Sequence, residues 1–232
     1  MYKFDILNKY NIDHCFYGVE SDYSETRYDL EDTFYLKQSH TSNVAVLTSN
    51  DKVGDAKFID CDGIITNLKG KKLVIRTADC QSIFLYDPVK KVIGNIHSGW
   101  KGTLNGIVIN AINLMVSTYG INKEDIICCF NPSILSCHFE IADDVYTMFK
   151  DKYPYIDTFV KETKVVDGVN KYYLDLVKFN IDLLNRNGVK NTYESNICSY
   201  CDTTCYSYRR DKTTKRNGSV ISLWEKEIEW LK

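Results

Sequence analysis

Proline is nearly absent, with 3 in 232 residues, and no tract is rich in serine and glycine, so nothing marks a linker between independently folding parts. One domain covering residues 1–232 is expected. No segment repeats at a fixed period, which excludes solenoid and propeller arrays. No apolar run approaches the length needed to span a bilayer. The opening MYKFDILNKYNIDHCFYG lacks a basic region leading into a continuous apolar stretch, and it lacks a small-residue cleavage site. These absences point to a cytoplasmic protein with no membrane partner. Neither sign of charge is in excess: 29 Lys and Arg stand against 31 Asp and Glu, a net charge of −2. A nucleic-acid partner, which calls for a surplus of cations on one face, is not expected.

Histidine is scarce as well, occurring only as His14, His40, His97 and His138, whereas cysteine is plentiful, with 9. The nine cysteines (15, 61, 80, 128, 129, 137, 198, 201, 205) are an odd number in a chain too long for a disulfide scaffold. They read as reduced thiols. With 44% hydrophobic and 26% charged residues, the composition supports one sizeable core.

The first third consists of short β-branched and aromatic runs between turn residues: FYLKQSH, SNVAVLT, AKFIDCDGIIT, KLVIRTADC, SIFLYDP and KVIGNIHSG. Each reads as a strand. A helical stripe follows from Leu104 through Ile107, Val108, Ala111, Ile112 and Met115 to a closing Gly120. IICCF reads as a strand, Asp143 to Lys152 as a helix, and LDLVKFNIDLLNRNG as a helix closed by Gly188. SYRRDKTTKRNGSVISLW reads as a strand end, a polar loop and a last strand. Strands first and helices later predict an α+β fold, mixed β-sheets packed with flanking helices.

Cys80 sits in TADCQ, between Asp79 and Gln81, where polar neighbours are unusual for a structural cysteine. The sixteen residues after it form two strand-like runs around Asp87-Pro88-Val89-Lys90. A turn centred between Pro88 and Val89 pairs position 80 with 97, so Cys80 would face His97. Facing side chains have Cβ atoms about 4.5 to 5.5 Å apart, close enough for a thiolate and an imidazole to share one zinc ion. His40, in the polar KQSHTSN, is the best third ligand. Two histidines and one cysteine leave a fourth position for water or substrate, as in catalytic zinc sites. Packing and hydrogen-bonding roles for Cys80 and His97 remain open on spacing alone. SGWKGT after His97 opens into the helix from Leu104, where free N–H groups beside Lys101 would suit an anion, although Gly99 and Gly102 could equally serve a tight turn.

The motifs stand in a recognisable order: Gln38 to His40, Asp62 to Thr66, Thr77 to Cys80, His97 to Gly102, Asn131 to Glu140 and Ser207 to Asp211. They resemble the YfiH-like purine nucleoside phosphorylases, also called laccase-domain or multicopper polyphenol oxidase proteins, from about residue 33 to the end. The chain departs from the family pattern before residue 33, and in NPSILSCHFEIADD, where the family has a glycine-led segment. The resemblance implies a CNF/YfiH-like single domain, with zinc held by His40, Cys80 and His97 and with copper accepted in vitro. It implies phosphorolysis of adenosine, inosine and methylthioadenosine, with adenosine deamination in the same pocket; a monomer or homodimer is expected, the sequence not choosing between them. Cys80, Asp79 and Arg209 are the catalytic candidates. Gln38, Ser39, Lys101 and Arg210 are the candidates for contact with purine nucleoside and phosphate. Asp79 would orient a ligand imidazole, shuttle a proton or cap the turn.

Two other readings are open. Cys80 could be a nucleophile with His97 as base, in an amidase acting on peptidoglycan precursors. Alternatively, a fourth protein ligand such as His138 would close the site and make a non-enzymatic zinc-stabilised module. One Cys and two His do not make a multicopper cluster. Cys198, Cys201 and Cys205 would need a further partner, Cys128 or Cys129, to form a second metal site.

Overall fold

The computed structural model describes residues 1–25 and 30–224. A short helix α1 (Asp5–Asn8) precedes β1 (Asp13–Tyr17), β2 (Thr33–Tyr35), β3 (Val44–Val46), β4 (Gly63–Thr66), β5 (Lys72–Thr77), β6 (Gln81–Asp87) and β7 (Val92–Ser98). Then come α2 (Trp100–Leu104), α3 (Ile107–Tyr119), β8 (Ile127–Phe130), β9 (Glu140–Ala142) and α4 (Asp143–Lys152). The chain continues with β10 (Val160–Val166), β11 (Val169–Leu174), α5 (Leu176–Arg186), β12 (Asn191–Glu194), α6 (Tyr208–Asp211) and β13 (Asn217–Ser222).

The strands form three sheets, ordered β12-β8-β6-β7-β4-β3, β1-β13-β5-β2 and β10-β11-β9. Parallel pairs (β3 with β4, β8 with β12, β2 with β5) mix with antiparallel ones. The fold is therefore the expected α+β arrangement of mixed sheets with flanking helices. Strand β6 is buried along its whole length because both of its faces are covered. Phe84 and Tyr86 point into one core, shared with Leu73, Ile75 and Ile221 of the four-stranded sheet. Ile83 and Leu85 point into another, shared with Ile107, Ala111, Ile112 and Met115 of α3. Two-sided burial is what produces a near-continuous apolar run instead of alternation. Asn95 ties the two sheets together, its amide donating to Leu73 O at 3.0 Å and Ser219 O at 2.9 Å.

Several expectations need correction. The helix read from Leu104 is two helices, α2 and α3, broken at Gly106, whose φ of 72° is left-handed backbone that favours glycine. SYRRD is not a strand end. Its Tyr208–Asp211 segment is the helical turn α6, started by Ser207, whose Oγ accepts the Arg210 N–H at 3.2 Å. The β6–β7 register also differs: Ser82 faces His97 and Gln81 faces Ser98. The connection is a four-residue loop, 88–91, with Lys91 at φ 55° and the Asp87 carboxylate accepting the Lys90 N–H at 2.7 Å. The displacement is two residues, an even number, so Cys80 keeps the face that carries His97 and becomes its diagonal neighbour.

Candidate metal centre

Cys80 lies just before β6, His97 near the end of β7, and His40 in the loop between β2 and β3. Their donor atoms all lie within 4.8 Å of one another, and the two imidazole rings are 4.9 Å apart at 77°. No fourth Cys, His, Asp or Glu joins this group among the described residues. His138, the candidate for closing the site, belongs to a different cluster.

The centre is organised by Asp62, which precedes β4 and is fully buried. Its Oδ1 meets His97 Nδ1 at 2.7 Å and accepts the His40 N–H at 3.0 Å. Its Oδ2 accepts from the Thr41 N–H at 2.7 Å and the Thr41 hydroxyl at 2.8 Å. One carboxylate thus orients one histidine ring and folds the loop that carries the other. His40 itself sits at φ 63°, a left-handed conformation that Asp62 helps hold. The imidazole-orienting role expected of Asp79 belongs to Asp62. The Asp79 carboxylate instead accepts from Ser199 Oγ at 2.7 Å and the Arg209 N–H at 2.6 Å, with Asp79 at φ 95°.

The charges are mutually supporting. Burial would raise the Cys80 thiol, but hydrogen bonds from His40 and His97 outweigh it and bring the thiol down to about 6. Burial works against a charged His97 ring, yet Asp62 and Cys80 raise it to about 9. Burial also opposes the Asp62 carboxylate, and its bonds from His97 and Thr41 hold it near 2. This donor set fits a divalent metal. It combines a thiolate-forming cysteine with two imidazoles, one of them fixed by a carboxylate so that its Nε2 is left for coordination.

Two cavities meet at the centre and share His40, Ala78, Cys80 and Tyr208 in their walls. The larger, about 540 Å³, is cationic: Arg76 and Arg216 line it with Gln38. The smaller, about 330 Å³, is walled by Trp100, Ile134, Phe139 and Leu176, with Asp79 and Arg209. Gly99 is needed for this junction, since a Cβ there would stand 3.0 Å from His40 Cδ2 and 3.2 Å from Cys80 Sγ.

The remaining candidates are distributed unevenly. The Gln38 amide both accepts from and donates to the backbone of Arg76, at 2.9 Å each way. Arg209 lines the smaller cavity while its guanidinium donates to His138 O at 3.3 Å and Glu140 O at 3.1 Å. Three expected substrate contacts line neither cavity. Arg210 spends its guanidinium on the carbonyls of Ser199, Tyr200 and Cys205 and on Asp211. Lys101 is exposed, its Nζ 5.5 Å over the Trp100 ring, and helix α2 is only five residues long. Ser39 is exposed and donates to Asp60 at 2.9 Å. Reading the sequence missed Asp62, Arg76 and Arg216. Asp62 opens the quoted DGIIT motif, a sign that it does more than start a strand; Arg76 and Arg216 carry no local signal.

Fold and site together define a mixed-sheet protein with a three-donor Cys/His centre between two cavities. A family model described as multi-copper polyphenol oxidoreductase laccase matches residues 20–224, and the chain belongs to that family. It is 35% identical over 190 residues to a purine nucleoside phosphorylase of Borreliella burgdorferi, covering 82% of this chain and 78% of that one. It is 30% identical to a purine nucleoside phosphorylase of Campylobacter jejuni, covering 84% and 79%. The crystal structure of the Bacillus licheniformis hypothetical protein YfiH superposes with a TM-score of 0.73 at 28% identity, covering 86% of this chain and 76% of that one.

Proposed function

We propose that this protein is a zinc-dependent purine nucleoside phosphorylase, acting on adenosine, inosine or methylthioadenosine, with adenosine deaminase activity in the same pocket. The observation that carries the reading is the junction of the two cavities at His40, Cys80 and His97, one cationic and one walled by apolar and aromatic side chains. Relatives named purine nucleoside phosphorylase support the same class of reaction.

In this reading the purine ring lies against Trp100 and Phe139, because flat aromatic surface is what buries a heterocycle well. Phosphate lies on the other side, held by the forked guanidinium groups of Arg76 and Arg216. A phosphate oxygen then forms the bond to C1′ while the C1′–N9 bond breaks and its electron pair leaves with the base. Fixed cationic donors orient the anion and need no rearrangement during the reaction. Gln38 holds the backbone of Arg76 in place, and Arg209 contributes positive charge to the purine side. His40, Cys80 and His97 would hold the zinc, which supplies the Lewis acidity that hydrolytic deamination requires. Asp62 fixes the orientation of the His97 ring, so that its other nitrogen faces the metal position and gives up its proton when zinc binds.

The test is product analysis by chromatography. Zinc-loaded protein with inosine and phosphate is expected to yield hypoxanthine and ribose 1-phosphate, and with adenosine alone, inosine. Cys80→Ala protein should do neither. Absence of both products from zinc-loaded wild-type protein would overturn the reading.

A further inference from the structure

A second cluster lies outside the centre already described. Cys137 and His138 stand in the loop between β8 and β9, and Cys198 and Cys201 stand in the loop after β12. The three sulfurs and a ring nitrogen of His138 all lie within 4.8 Å of one another. Cys137 Sγ is 3.5 Å from Cys198 Sγ and 3.8 Å from Cys201 Sγ. His138 Nδ1 is 3.3 Å from both Cys137 Sγ and Cys201 Sγ.

These separations discriminate between a metal and a disulfide. A disulfide needs its sulfurs about 2.05 Å apart. Tetrahedral zinc with Zn–S of about 2.3 Å and Zn–N of about 2.0 Å sets ligand atoms about 3.8 Å apart for two sulfurs and about 3.5 Å for sulfur and nitrogen. The four separations above lie near the second set and far from the first. The spacing agrees, since Cys198 and Cys201 form a C-x-x-C pair of the kind that closes on one ion from a single turn. The Leu135 N–H also donates to Cys198 Sγ at 3.4 Å, the kind of backbone support that accompanies a coordinating thiolate. Neither Cys128 nor Cys129 takes part: both are buried in β8, and their side chains belong to the two cores on either side of the sheet.

We infer that Cys137, His138, Cys198 and Cys201 form a structural zinc site. Its four protein donors leave no position for substrate. On binding, the three thiols release their protons to solvent and zinc takes four bonds, with no change of oxidation state. The two loops it joins are already paired through Ser133 and Cys198, with the Ser199 N–H donating to Ser133 O at 2.9 Å. They are also the loops behind Asp79: Ser199 Oγ donates to the Asp79 carboxylate, and the Ile134 N–H donates to Asp79 O at 2.9 Å. Arg209 grips the first loop at His138 O and Glu140 O, and Arg210 grips the second at Ser199 O and Tyr200 O. The zinc would therefore staple together the wall of the smaller cavity, next to Cys80.

The experiment is metal counting on untagged protein purified without chelator. Wild type is expected to carry two zinc ions per chain, and Cys198→Ser/Cys201→Ser one. Cys80→Ala should also carry one, and X-ray absorption on that protein should show three sulfurs and one nitrogen around it. His138→Cys, which keeps four donors, should retain both ions. A single zinc in wild type that the Cys198→Ser/Cys201→Ser pair leaves in place would overturn the inference. So would a zinc-free Cys80→Ala protein, a shell of nitrogen and oxygen alone, or an intact mass two hydrogens light with a Cys137–Cys198 cross-link. If the double variant fails to fold, the absorption spectrum and mass of the Cys80→Ala protein still decide.

Discussion

Asp62 and His97 are joined by a 2.7 Å contact between Oδ1 and Nδ1, with both side chains essentially removed from solvent. The same carboxylate holds the backbone of His40 and Thr41. Removing its charge while keeping its shape should therefore disturb two metal donors together. Asp62→Asn is expected to weaken zinc binding about 10- to 100-fold, the usual effect of losing a ligand's hydrogen-bond partner. Competition against a chromophoric chelator measures this, and unchanged affinity would show that the histidines are oriented without Asp62.

Gly99 offers a steric test of the same junction. Gly99→Ala places a methyl against His40 and Cys80, whose positions must shift by a few tenths of an ångström. Zinc affinity should fall while the circular dichroism spectrum is retained. Gly168→Ala is the control: its φ of 76° is strained for alanine, but the surrounding space is open. That change should cost about 1 kcal/mol in stability and leave zinc binding alone.

Of the two cavity arginines, Arg216 gives the cleaner kinetic test, because its guanidinium contacts are carbonyls of its own loop, Thr213 O and Lys215 O. Arg216→Ala should raise KM for phosphate at least about tenfold, a loss of about 1.4 kcal/mol, with a smaller effect on KM for inosine. Equal effects on the two substrates would remove Arg216 from the phosphate side.

Asp79 is expected to matter through stability. Asp79→Ala leaves Ser199 Oγ and the Arg209 N–H without their acceptor, and Ser199 is fully buried. Urea denaturation should show a loss of about 3 kcal/mol, with Asp79→Asn, which keeps one acceptor oxygen, losing less.

Alkaline pH should bring out the contribution of Tyr86. Tyr86 is 1% exposed, and burial, with Asp87 and Tyr10 nearby, pushes its hydroxyl up to about 12. An unfolded tyrosine releases its proton near about 10. Between these values the unfolded chain binds fewer protons than the native one, so stability falls as pH rises, by at most about 1.4 kcal/mol per pH unit for this group. The contribution is fully present below pH 10. Tyr86→Phe should flatten that slope in urea midpoints measured from pH 9 to 11, and an unchanged slope would assign it to other groups.

What the sequence made legible was periodicity and local chemistry. The stripe from Ile107 to Met115 is fully buried, α4 has the expected bounds Asp143–Lys152, and the strand runs around Cys80 form a hairpin. What escaped depends on distance along the chain. Asp62 acts on residues about twenty positions before it and thirty-five after it, and Cys137 meets Cys198 across a separation of 61 residues. Arg76 and Arg216 reach one cavity only because β5 pairs with β13. The register slip at Pro88 arose from loop length, which composition does not set. The hairpin of β10 and β11 was readable in principle, since Asp167-Gly168 between KETKVV and VNKYYL is a strong turn signal, and both residues have positive φ.

The same hairpin has a consequence for the protein's behaviour at high concentration. Strand β10 pairs on one side only among the described residues, leaving a row of backbone groups that could template another chain. Lys161, Glu162, Thr163 and Lys164 are all exposed along it. Bringing a second such strand alongside would strip water from these charged side chains. The edge is thus guarded against sheet extension, and the exposed Val165 and Val166 at its end are where that guard is thinnest.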